Sequence, residues 1–178
     1  MTVGHILDAA RYITDLKGAF MGCDIHWYSE TKKDGNWVCD QAESFGIEDE
    51  GQPDEYTRMN NFPNRDRDYW WFGFIQPGVR TEWDFGFGES SLPDDLSKEV
   101  QAMSDSYGSD GHSHGYLTRA DLKAKLKEFE VRRTEELINP TDQNDAVTHF
   151  IERLLTTIGD LDANVPDEDQ RVVFWFDN

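Results

Sequence analysis

The chain has 178 residues and carries 17 lysines and arginines against 36 aspartates and glutamates, a formal net charge of −19 at pH 7. That balance argues against direct binding to nucleic acid or an anionic membrane, and it favours a basic protein surface as partner. The length suits one domain with a real core, and six Trp and eleven Phe argue against a disordered chain. The competing account of the charge is a solvated acidic surface, or adaptation to high salt. Two cysteines, Cys23 and Cys39, do not make a disulfide framework. No apolar run approaches the ~20 residues of a membrane span, and the N-terminus lacks the apolar core of a secretory signal. The expected location is therefore a reducing cytoplasm.

Residues 1–20 place Val3, Ile6, Leu7, Ala10, Ile13 and Leu16 at helical spacing. Met21 is itself a candidate start. Residues 1–20 are thus expected to be an N-terminal extension, helical or disordered, and 21–178 a single domain.

Residues 22–30 read as a strand. Its alternation puts Cys23, Ile25 and Trp27 on one face and Asp24, His26 and Tyr28 on the other. Asp34-Gly35 signals a tight turn, and 35–39 returns as a second strand. A polar stretch with Glu43, Glu48, Asp49, Glu50, Asp54 and Glu55 follows. It is expected to be a surface loop, and its sharper reading is a partner-binding, nucleic-acid-like anionic face.

Arg58, Arg65, Arg67 and Arg80 surround the most aromatic part of the chain, Tyr69–Ile75. Arginine forks with Trp70 or Trp71 as a stacking surface would suit a nucleotide. The apolar run 69–75 is too short for periodicity to separate helix from strand. A helix is expected near 97–107, starting at Ser97. Asp110–Leu117, with Gly111-His112-Ser113-His114 inside it, reads as a connection between helices. Thr118 with Asp121 resembles a capping box and opens a helix over about 118–128. The clearest helix, 142–158, repeats Ala146, Val147, Phe150, Ile151, Leu154, Leu155 and Ile158 at three and four. His149 sits beside that stripe as a boundary residue. Arg171–Phe176 is almost continuously apolar and is expected at the centre of the sheet, beside 22–30. The fold class is α+β: one small, mainly antiparallel sheet covered by three helices.

Several motifs together carry a resemblance. They are Met21-Gly22-Cys23-Asp24-Ile25-His26, Arg67-Asp68-Tyr69-Trp70-Trp71-Phe72, Leu92-Pro93-Asp94-Asp95-Leu96-Ser97, Asp110-Gly111-His112-Ser113-His114-Gly115 and the closing Val173-Phe174-Trp175-Phe176-Asp177-Asn178. Over about 21–178 the chain resembles a family of bacteriophage and prophage proteins to which no activity is attached. That family usually reads Arg-Asn-Tyr where this chain has Arg67-Asp68-Tyr69. The resemblance implies a phage origin, a place in the host cytoplasm and an accessory role. With the acidic charge, it leads to an inhibitor of a host defence component, such as an anti-CRISPR protein on a nucleic-acid-binding complex.

Asp24-x-His26 and Gly111-His112-x-His114 also resemble the first and last motifs of calcineurin-like metallophosphoesterases, whose middle motifs are missing here. This resemblance implies a hydrolase with Zn or Mn held by Asp24, His26, His112 and His114. A third reading is a protein that sequesters a nucleotide signal through the four arginines and Trp70 or Trp71.

Overall fold

The computed structural model describes residues 23–40, 67–81, 83–88, 90–139 and 143–177. The expected extension at 1–20 lies outside them. So do Glu43, Glu48, Asp49, Glu50, Asp54, Glu55, Arg58 and Arg65.

The fold is α+β. The strands are β1 (Asp24–Lys33), β2 (Asn36–Cys39), β3 (His112–Thr118) and β4 (Gln170–Asp177), in the order β2-β1-β4-β3 with every pair antiparallel. The apolar tail β4 is interior, as its composition predicts, and Gln170 through Phe176 are all buried. β1 pairs along it with His26 opposite Trp175 and Tyr28 opposite Val173. Asp34 and Gly35 both take positive φ, 52° and 82°, between the paired Lys33 and Asn36. That is the mirror-image turn whose twist matches a hairpin.

Four helices cover the sheet rather than the expected three: α1 (Tyr69–Ile75), α2 (Lys98–Tyr107), α3 (Arg119–Ile138) and α4 (Asn144–Gly159). α1 is the run whose type periodicity left open. Asp68 caps it by accepting from the Trp71 amide, and Trp71, Phe72, Phe74 and Ile75 are buried. Ser97 caps α2, and Thr118 and Asp121 form the expected capping box of α3. α3 continues ten residues past the expected 128; in its C-terminal half Val131, Leu137 and Ile138 are exposed while Phe129 and Glu136 are buried. α4 buries Ala146, Val147, Phe150, Ile151 and Leu154, the predicted stripe, while Leu155 stays outside.

These elements form three layers. One sheet face carries Cys23, Ile25, Trp27, Leu117, Val172, Phe174 and Phe176 into a core shared with α1, α3 and α4, where Phe74 stacks on Phe150 at 4.2 Å between ring centroids. The other face carries Tyr28, Val173, Trp175 and Tyr116 against Val100, Met103 and Tyr107 of α2.

β3 is a strand where the sequence reading placed a connection. Its glycine and two histidines have no strong strand preference; it is held by pairing to β4. Gly115 lies opposite Phe174, and a Cβ there would sit 2.7 Å from that ring. Among the described residues, no helix is long and apolar enough to cross a membrane.

Candidate functional site

β1 alternates as read, but its polar face is not an open row. Tyr28 and Glu30 are fully buried, and burial pushes the Tyr28 hydroxyl far above the ordinary phenol range. Asp24 is exposed and held by Arg67, whose Nε and Nη2 donate to its two oxygens at 2.8 and 3.3 Å. His26 lies between, its ring centroid 4.2 Å from that of Tyr107 and 5.8 Å from that of Trp175. Its Nε2 approaches Asp177 Oδ2 at 3.3 Å without hydrogen-bond geometry. Burial lowers the His26 pKa, and the pull of the nearby Asp177 and Asp24 carboxylates is too weak to reverse it.

A bulge decides where the two distant imidazoles go. His112 pairs with Phe176 and Gly115 with Phe174, so Ser113 and His114 together face the single residue Trp175, and Ser113 takes φ 51°. The extra residue breaks the alternation that would have put His112 and His114 on one side. His112 lies against Phe176, at 6.3 Å on the large-core face, with its Nδ1 3.0 Å from Ser113 Oγ. His114 lies against Trp175 at 6.0 Å on the α2 face, where burial lowers its pKa.

The expected ligand set is therefore corrected. Asp24, His26 and His114 share the α2 face, but the Trp175 indole stands between the two imidazoles and His112 is on the opposite face. Zinc–nitrogen bonds of ~2.0–2.1 Å demand convergence that this arrangement lacks. Among the described residues, no group of three or more His, Cys, Asp or Glu is placed to hold a metal ion, zinc and manganese included.

Of the proposed nucleotide residues, Arg67, Arg80, Trp70 and Trp71 are among those described. Trp71 is 1% exposed and packs against Trp27 and Phe74, so it offers no face to a base; the sequence could not tell which of two adjacent tryptophans α1 turns inward. Arg67 is engaged by Asp24, and the Arg80 guanidinium lies over the Tyr69 ring at 5.5 Å. Trp70 alone of the two is open, at 43% exposure.

Around Trp70 the structure assembles a cluster that sequence reasoning missed. Asp68, besides capping α1, accepts from His149 Nε2 at 2.9 Å and Arg153 Nε at 2.6 Å, both on α4. The Trp70 ring makes edge contacts with His149 at 5.8 Å and Trp83 at 5.7 Å, and Trp83 Nε1 donates to the Trp70 carbonyl at 3.2 Å. The only sequence hints were an Asp ahead of an aromatic run and a His/Arg pair four apart beside the α4 stripe.

Two other polar features are structural. Glu30 and Arg171 form a fully buried pair at 2.7 Å; Glu30 also accepts from the Ser97 amide, and Arg171 donates to Asp95 and lies 3.9 Å over the Trp37 ring. An open groove of about 450 Å³ beside β3 is lined by Phe87, Ser90, Tyr116, Asp121 and Lys125. Its polar groups are committed: Asp121 to the α3 cap, Ser90 to the Tyr116 amide and Lys125 to Glu128. Compared with family models, with curated proteins and with solved structures, the chain matches none.

Proposed function

We propose that this protein acts by binding: a phage accessory protein whose acidic surface occupies a basic surface of a host defence component in the host cytoplasm. The carrying observation is how the charge is distributed. Among the described residues, at least six of the thirteen lysines and arginines are ion-paired with carboxylates of the same chain. Arg67 pairs with Asp24, Arg119 and Lys123 with Asp167, Lys125 with Glu128, Arg153 with Asp68, and Arg171 with Glu30 and Asp95. The formal charge of −19 is an excess of carboxylates that such pairs do not neutralise. Such a field speeds encounter with basic surfaces and competes with nucleic acid for them.

The hydrolase reading lacks a converged ligand set among the described residues, and the two described arginines of the nucleotide reading, Arg67 and Arg80, are engaged by Asp24 and the Tyr69 ring. The test is competition on DNA-loaded defence nucleases with basic grooves. The protein is expected to displace the DNA from one of them in proportion to its own concentration. Unchanged DNA occupancy across such a panel contradicts the proposal.

A further inference from the structure

We infer that Trp70 is the anchor of the interface: an aromatic platform, flanked by carboxylates, that takes an arginine side chain presented by the basic partner. This rests on the binding role proposed above and names the chemistry of its contact point.

Trp70 is open to solvent, whereas Trp27, Trp71 and Trp175 are buried. Its position is nevertheless fixed. The ring leans on Trp83 and His149, its carbonyl holds the Trp83 indole, and His149 is tied to Asp68. A large ring held this way loses little freedom on binding, which is the character of interface hot spots.

The charges around it select the ligand. On α4, Asp145 stands four residues before His149 and Glu152 three after, both exposed. Residues at these spacings neighbour one another on a helix surface, so a carboxylate lies about a turn to either side of the imidazole that Trp70 touches. Asp84, next to Trp83, is exposed as well. The nearby cations are engaged, Arg153 by Asp68 and Arg67 by Asp24. A phosphate would meet negative charge here, and the neighbouring arginines among the described residues, Arg67 and Arg153, are already held by carboxylates. A guanidinium meets an indole and carboxylates together, the combination that favours cation–π contact.

The experiment is calorimetric titration of the full chain with a hexa-arginine peptide at low salt, with a hexa-citrulline peptide and ATP as alternative probes. Hexa-arginine is expected to bind. Trp70→Ala should weaken that binding about fivefold or more, and Asp145→Asn with Glu152→Gln should weaken it comparably. Leu155→Ala, exposed on the same helix, should leave it unchanged. Citrulline and ATP should not bind. Should Trp70→Ala fail to fold, the Trp70 indole N–H resonance of the wild type serves instead and should shift on titration. Equal affinity of wild type and Trp70→Ala, or an unmoved resonance, overturns the anchor and leaves an acidic protein attracted by diffuse charge. Binding of ATP through Trp70 overturns it in favour of a nucleotide. Failure of the wild type to bind hexa-arginine at all removes both this inference and the binding role.

Discussion

His26 and the Glu30–Arg171 pair show opposite ways of housing a titratable group. His26 is held largely out of water with a carboxylate nearby but no hydrogen bond, and its pKa lies below the ordinary 6.5 because burial disfavours the charged imidazole. The folded state then binds fewer protons than the unfolded state as pH falls from about 6.5 toward the folded value, so stability is lost over that window and present above it. Denaturant unfolding at pH 7.5 and 5.5 should show a drop that is smaller in His26→Gln; equal drops would contradict this account. Glu30 and Arg171 are buried together, and each is the other's compensation. Arg171→Met leaves a buried carboxylate and should lower stability by about 3–5 kcal/mol. The double variant Glu30→Met, Arg171→Met should be less destabilised than Arg171→Met alone, which equilibrium unfolding of both will measure.

Elements whose pattern repeats were legible, and elements set by a single close contact were not. The α4 stripe, the β1–β2 hairpin and the apolar β4 follow from periodicity and turn chemistry. β3 does not, because its strand character comes from pairing with β4 and from Gly115 letting that backbone lie against Phe174 and Ser90. Gly73 is similar inside α1: a Cβ there would fall 2.0 Å from the Thr81 carbonyl oxygen. Gly73→Ala and Gly115→Ala should each destabilise by about 1–3 kcal/mol or more, since backbone or a packed ring must move. Thr118→Ala, which removes only a cap, should cost about 1 kcal/mol in the same unfolding assay. The bulge at Ser113–His114 is equally invisible in sequence, yet it alone separates His112 from His114. A one-residue insertion in a strand has no compositional mark beyond a residue that tolerates positive φ. The Asp68–His149–Arg153 cluster was hidden for another reason: its members meet only because α1 packs on α4, a long-range fact that local pattern does not carry.

For the whole molecule, charge is the most direct link between sequence and role. Composition gave its sign and size, and the structure adds that at least six of the thirteen described lysines and arginines are ion-paired within the chain, with Trp70 of α1 exposed against His149 of α4. The central claim is attraction of this surface to a basic partner, so the most direct measurement is the dissociation constant for the defence nuclease that responds in competition, taken across a salt series from about 50 to 300 mM, where the Debye length shrinks from about 14 to 6 Å. The account predicts that affinity falls steeply and that the loss appears mainly as slower association. An affinity unchanged across that series would contradict it.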